Sequence, residues 1–274
     1  MAAPVGLRLD VWTQLALGLV LAGTVAIVAR RAAMLTTGGA IATALIGTLT
    51  FGVGGLAPAI LLLTFFASSS LLSRQSSDRK RALVVRSAKS GRRDEWQVLA
   101  NGAVPALLAA GYGLTHQDLW LVGVAGALAA SNADTWATEV GVLARARPRL
   151  IISMRRVEAG TSGAISLPGT LAALAGALLI GITASLLAGS SALLYAASVG
   201  GLLASFADSL LGATVQAQYA CPNCDLVTER HPRHTCGTAT VLVSGWPGLG
   251  NDPVNFAASV AGAALAIWLW GAFS

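Results

Sequence analysis

The stretch LVGVAGALAASNADTWATEVGVLA (121–144) decides the reading of this chain, together with YAASVGGLLASFADSLLGATVQ (195–216). Each is long and apolar enough to cross a bilayer. Yet the first carries Asp134 and Glu139, and the second carries Asp208. A carboxylate at the centre of a spanning helix costs roughly 2.5–3.5 kcal/mol on insertion scales, so an acid placed there points to a functional site. Three of them point to a buried cation or phosphate–metal site.

Working outward, the rest of the chain reads as membrane too. It is 55% hydrophobic and only 11% charged over 274 residues, with mean hydropathy +0.69. A soluble domain carries roughly 25% charged residues. Apolar windows of bilayer-spanning length recur at about 11–29, 36–53, 56–73, 96–113, 119–143, 164–188, 192–217 and 253–272. The expected fold is all-α: one polytopic bundle over 1–274 with eight transmembrane helices. Alternating ten-residue strands, the mark of a membrane barrel, are missing. The first segment runs into Arg30 and Arg31 without a small-residue cleavage site, so no cleavable signal peptide is expected.

The basic residues set the expected orientation. Arg30 and Arg31 follow the first span, eight Lys/Arg fall in 74–93, five in 145–156, and Arg230 and Arg233 in 218–252. With eight spans these regions share one face, which holds seventeen of the eighteen basic residues and leaves only Arg8 opposite. That face is expected to be cytoplasmic, in an inner or plasma membrane, with both termini outside. The net charge of +6 is therefore explained by topology, and no nucleic-acid recognition motif accompanies it. Three regions stand out between spans: a basic loop (74–95), a candidate phosphate-binding loop (145–163) and a Cys/His loop (218–252).

Weak internal repeats are present. ASNADTWA (130–137) is echoed by ASFADSLL (204–211), and TTGGAIA (36–42) by GTSGAIS (160–166). Such repeats often mark duplicated bundles with a site at their interface, although Ala/Gly/Ser-rich helices also resemble one another by chance.

On a helix, Ser131, Asp134, Thr135 and Thr138 form one polar stripe, with Glu139 further round. The stripe reads either as a polar network joining helices or as a metal or phosphate site. Recurrence of the motif at Asp208 favours the second. Hard oxygen donors suit Mg²⁺, which borrows substrate phosphate oxygens; Asp134, Glu139 and Asp208 are its expected ligands. In MRRVEAGTSG (154–163), Arg155 and Arg156 are forks suited to phosphate. Gly160, Thr161, Ser162 and Gly163 are expected to open a helix whose free N–H groups attract anions. A basic flank followed by an N-cap explains the same letters. No Walker loop is present.

CPNC (221–224) and HPRHTC (231–236) hold all three cysteines. Cys221, Cys224 and Cys236 with His234, preferred over His231, would make a structural Cys₃His zinc site. Reduced thiols tucked against the bilayer are the alternative. Asp252 reads as a helix N-cap with Pro253 in the first helical position. Asn101, Gln216 and Asn255 are second-tier polar candidates for ligand contact.

Taken together, QVLANG (97–102), SNADTWATEVG (131–141), GTSGAISLPGT (160–170), DSLLGATVQ (208–216), the Cys/His loop (221–237) and ND-P-VN (251–255) resemble the phytyl-phosphate kinase family, which includes transmembrane-protein-19-like proteins. The resemblance spans about residues 35–260. More distantly, Asp134-Thr135, Arg156, Glu158 and Gly160 resemble the pattern of CTP-dependent phytol and dolichol kinases. Those usually place a lysine at the Arg155-Arg156 position and lack the cysteine loop. The resemblance implies transfer of a phosphoryl group from CTP or ATP to an isoprenyl monophosphate. For such a reaction Asp134, Asp208 and Glu139 are the expected catalytic residues with Mg²⁺, and Arg155, Arg156, Glu158 and the 160–163 turn are expected at the phosphates. An ion-coupled transporter and a CTP-dependent nucleotidyl transferase are the rival readings.

Overall fold

A computed structural model of the chain describes residues 10–74 and 91–273. Among the described residues the eight expected spans coincide with eight helices: α1 Val11–Arg31, α2 Thr37–Gly52, α3 Leu56–Ser73, α4 Glu95–Thr115, α5 Asp118–Gly141, α6 Leu167–Ala188, α7 Ser191–Thr214 and α8 Asn251–Phe273. Six of them are long and apolar enough to cross a membrane. Of the other two, α2 has 16 residues, and α5 has the length but carries Asn132, Asp134 and Glu139.

Local chemistry sets the boundaries. Thr36, Asp94 and Ser166 each turn a side-chain oxygen onto a backbone N–H of the first turn of α2, α4 and α6, satisfying donors the helix leaves unpaired. The Ser166 cap corrects one expectation. Residues 160–163 do not open a helix; α6 starts at Leu167, and the Gly-rich segment is a turn leading into a two-stranded hairpin, β1 Arg149–Leu150 and β2 Ala164–Ile165. Likewise Asp252 lies inside the first turn of α8 rather than capping it.

Every residue from Leu121 to Ala133 of α5 is buried, which makes α5 the axis of the bundle. It contacts α3, α4, α6, α7 and α8. Its Gly/Ala surface admits those neighbours closely: a Cβ on Gly126 would lie 2.3 Å from the Gly262 carbonyl oxygen of α8. In lipid, such small-residue contacts replace hydrophobic collapse as the packing force. Asn132 adds a polar joint, accepting from Ser68 and Ser69 of α3 (3.0 and 2.9 Å) and donating to the Gly176 carbonyl of α6 (2.8 Å). Large apolar side chains such as Val20, Leu45, Leu107 and Leu186 face outward, as a lipid-facing surface requires. α1 packs on α2 at the periphery.

The loops expected to carry the basic residues gather at one end of the bundle. The Thr36 N–H donates to the Arg93 carbonyl and the Arg93 N–H to that of Met34, joining the first loop to the second. Ser162 bonds Gln216, joining the third to the fourth. Of the 74–95 loop, 75–90 lies outside the described residues, as does Arg8. The fourth loop is not wholly irregular: β3 Gln218–Cys221, β4 Leu226–Thr228 and β5 Val241–Ser244 form an antiparallel sheet in the order β4-β3-β5.

Candidate functional site

α5 and α7 both run toward the loop end, so the two copies of the A-S-x-A-D motif lie side by side. The helices meet where Gly201 faces Ala129. Beyond that contact Asp134 and Asp208 come within hydrogen-bonding reach of each other. Asp208 is buried, and its Oδ2 is a buried oxygen without a hydrogen-bond partner among the described residues. Two carboxylates in contact inside a membrane bundle repel unless a proton or a cation lies between them. Both residues line a cavity of about 1120 Å³. The donor set, two adjacent carboxylates with hydroxyls of Ser205, Ser209 and Thr138 also on the wall, fits a hard divalent ion such as Mg²⁺.

Glu139 lines the same cavity, but its electrostatic partner is Arg93. Burial pulls the Arg93 guanidinium below its usual range, and Glu139 pushes it back. It remains a cation, partly withdrawn from water. Arg74 and Arg92 complete a basic wall. Arg155, Arg156 and Glu158 are not brought to the cavity. Their side chains are exposed, Glu158 pairs with Arg147 at 3.4 Å, and their backbones build the hairpin instead: the Leu150 N–H donates to the Arg155 carbonyl, and Arg149 bridges Arg156.

The Gly160-Thr161-Ser162-Gly163 turn does line the cavity. Gly163 has φ +74, and a Cβ there would lie 2.4 Å from Ala213 Cβ. Only glycine permits both the conformation and the approach to α7. Gln216 stands behind the turn, accepting from the Ser162 hydroxyl and donating to Glu229 Oε1, each at 2.8 Å. Glu229 reaches the cavity and Gln216 does not. Asn101 and Asn255 are on the wall. Asn101 donates to the Gln97 carbonyl, and Asn255 Oδ1 is buried without a partner among the described residues. An arm of the cavity, apolar except for Thr24 and Thr43, runs between α1, α2 and α3 past Val25, Leu62, Ile46 and Leu21 to Gly18 and Phe51. From Gly18 to the end of α1 this arm covers roughly 20 Å of helical rise.

Away from the cavity, the ligand atoms of Cys221, Cys224, His234 and Cys236 all lie within 4.8 Å of one another. His231 is elsewhere, its ring stacked on Tyr219 at 4.4 Å. Contact with the Cys236 thiol, then burial, pushes Cys224 up to about 11. Thr238 and His234 hold Cys236 down to about 5.

The profile of the integral membrane protein family DUF92 matches residues 20–263. The chain belongs to that family. A membrane protein of Methanocaldococcus jannaschii, named as uncharacterized, is 34% identical over 69% of this chain and 77% of its own length. Protein PGR of Arabidopsis thaliana is 33% identical over 80% of this chain and 83% of its own. Protein VTE6, chloroplastic, also of Arabidopsis thaliana, is 30% identical over 51% of this chain and 44% of its own. No solved structure gives a significant match.

In this DUF92 chain, sequence reasoning overlooked Arg93 and Glu229 as wall residues. Arg93 is the last letter of a basic run whose obvious role is topological. Its one distinguishing mark is its place directly before Asp94, the N-cap of α4, where the backbone must turn inward. Glu229 carries no sequence signal at all.

Proposed function

We propose that this DUF92 protein is a membrane phosphotransferase that moves the γ-phosphoryl group of a nucleoside triphosphate, CTP or ATP, onto an isoprenyl monophosphate such as phytyl phosphate. The observation that carries the reading is the Asp134–Asp208 pair, which opens into a cavity that is basic at its loop end and apolar along its arm. The motif resemblance to phytyl-phosphate kinases and the partial similarity to VTE6 support it. The cavity exceeds the roughly 300–1,000 Å³ of ordinary ligand sites, as two substrates demand.

The acceptor phosphate has a second pKa near 6 and is largely dianionic at neutral pH. Its oxygen attacks the γ-phosphorus, the bond to the β-phosphate oxygen breaks, and the nucleoside diphosphate leaves carrying the electron pair. No general base is needed, so the protein's task is alignment and charge neutralisation. Asp134 and Asp208 would hold Mg²⁺, with Glu139 nearby; the ion supplies charge for the triphosphate. Arg93 with Arg74 and Arg92 meets the phosphates, and the 160–163 turn forms the wall beside them. The prenyl chain lies in the arm between α1, α2 and α3 and never leaves an apolar phase. The loop end faces the cytoplasm, where the nucleotide is, as the positive-inside pattern requires.

The test is purified protein in lipid nanodiscs with phytyl or geranylgeranyl phosphate, Mg²⁺ and γ-labelled CTP or ATP. Label in the prenyl diphosphate supports the reading. Release of pyrophosphate would replace it with nucleotidyl transfer. Ion flux without nucleotide, and no labelled lipid, would replace it with transport.

A further inference from the structure

The chemistry at the cavity leaves the three cysteines of the fourth loop unused. Cys221 ends β3, Cys224 lies in the turn before β4, and His234 and Cys236 approach from the segment before β5. Their donor atoms form a closed cluster: Cys221 Sγ to Cys236 Sγ is 3.5 Å, Cys224 Sγ to His234 Nδ1 is 3.5 Å, and His234 Nδ1 to Cys236 Sγ is 3.4 Å. A tetrahedron with zinc–sulfur bonds near 2.3 Å and a zinc–nitrogen bond near 2.0 Å has edges of about 3.5–3.8 Å. The side chains are therefore already spaced as ligands. Three sulfurs and one imidazole suit zinc and not the oxygen-seeking Mg²⁺. Four protein donors leave no open position, which marks a structural site.

The surrounding sheet needs such a staple. Its strands have four, three and four residues, and all four residues of β5 are exposed. A sheet that small buries too little to hold itself together in water. Yet it carries a precise connection. Gln216 enters β3 and Glu229 leaves β4, and the two join by the 2.8 Å bond that continues through Ser162 into the cavity turn.

We propose that Cys221, Cys224, Cys236 and Nδ1 of His234 bind one zinc ion, and that the zinc-closed sheet positions Gln216 behind the 160–163 turn and Glu229 at the cavity. Gln216 is thus a positioning residue, and the metal acts on the cavity through it.

The full chain, purified in detergent without chelator, is expected to contain one zinc per chain by mass spectrometry, with an X-ray absorption shell of three sulfurs and one nitrogen. Cys224→Ser and Cys236→Ser are expected to fall below about a fifth of an equivalent, while His231→Ala keeps the full complement. Because the serine variants can misfold, His234→Cys supplies a conservative control: it should keep one zinc in an all-sulfur shell. Stripping the zinc should speed amide exchange across 160–163 at least tenfold, and Gln216→Ala should do the same with its zinc still bound. Zinc-free protein that takes up none when zinc is added would overturn the site. So would a mass two daltons low from a Cys221–Cys236 disulfide, or loss of zinc in His231→Ala. Unchanged exchange in stripped protein would overturn the positioning role. None of these readouts depends on a phosphotransfer activity, so the zinc site and the proposed reaction fail separately.

Discussion

Replacing Gly201 by alanine tests the site through its geometry without touching a polar atom. Gly201 is where α7 crosses α5, and an added Cβ would stand 2.4 Å from Ala129 Cβ and 2.7 Å from the Ala129 carbonyl carbon. Ordinary contact begins at 3.4 Å, so the helices must part by about 1 Å. The neighbours that would have to give are backbone and a methyl group, with no flexible side chain to absorb the change. Asp134 and Asp208 lie on these same two helices, a turn or two further toward the loops, and would be drawn apart by a similar amount. A misplacement of about 1 Å at reacting groups can lower a rate about 10²-fold. Overpacking itself costs roughly 1–3 kcal/mol, so stability must be controlled for. Gly262→Ala supplies the control: its Cβ meets Ala130 Cβ at 2.6 Å and the Gly126 carbonyl oxygen at 2.6 Å, a comparable insult to α5 from the side of α8. Both variants should lose similar thermal stability. Gly201→Ala should also lose about 10²-fold in labelled-lipid formation and most of the Mg²⁺-dependent thermal shift produced by nucleotide, and Gly262→Ala should lose much less of either. A folded Gly201→Ala protein with the wild-type Mg²⁺ dependence and rate would refute the placement of the metal between α5 and α7.

Other substitutions divide the site. Asp208→Asn keeps the shape of the side chain and removes its charge, so nucleotide should no longer raise the melting temperature in a Mg²⁺-dependent manner, and turnover should fall at least 10²-fold; an unaltered Mg²⁺ titration would remove Asp208 from the ligand set. Arg93→Ala should lower turnover by about 10²–10³-fold, whereas Arg155→Ala and Arg156→Ala, at exposed hairpin positions, should stay within about threefold of wild type. The reverse ranking in the same assay would return the phosphate-binding role to the hairpin. Asn132→Ala removes three interhelical hydrogen bonds, each worth roughly 0.6 kcal/mol in a bilayer. A loss near 2 kcal/mol is expected by denaturant titration, and a change below about 0.5 kcal/mol would show that the joint between α3, α5 and α6 adds little.

The helices were legible because lipid imposes length and composition on them, and their ends follow caps such as Asp94 and Ser166 that are visible as letters. The pairing of Asp134 with Asp208 was legible for a different reason. A repeated motif on two helices that run the same way reaches the same depth, so likeness in sequence becomes nearness in space. The same logic failed for TTGGAIA and GTSGAIS. The first forms the opening turn of α2, while the second is a turn and a strand, because Ser166-Leu167-Pro168 starts α6 later. Arg155 and Arg156 misled for a related reason: a pair of arginines beside a Gly-rich turn suggests a clamp, but the hairpin that forms the turn leaves their side chains outside. Arg93 could not be chosen from among eight basic residues in 74–93, since its inward position depends on the bridge from Leu35 to Arg93, a contact between distant segments.

The arrangement also accounts for where the chain tolerates polarity. Along Leu121–Ala133 of α5 every residue is buried, and its amide, Asn132, is bonded to α3 and α6. Directly after Ala133 the helix meets the cavity, and the polar residues Asp134, Thr135, Thr138 and Glu139 line it. Asp134 and Asp208 line a cavity between helices rather than the lipid-facing surface, so neither carboxylate is placed directly in hydrocarbon, where the penalty is largest. The apolar arm is the other half of that logic. A phosphorylated lipid has a headgroup that needs charge and a tail that needs hydrocarbon, and a cavity that is basic beside Arg93 and aliphatic beside Leu21 and Ile46 meets both within one continuous surface. A transporter of a small ion has no use for the arm, and a soluble nucleotide alone has none either. The joint presence of the arm and the acid pair therefore supports the proposed transfer to a lipid phosphate over both alternatives.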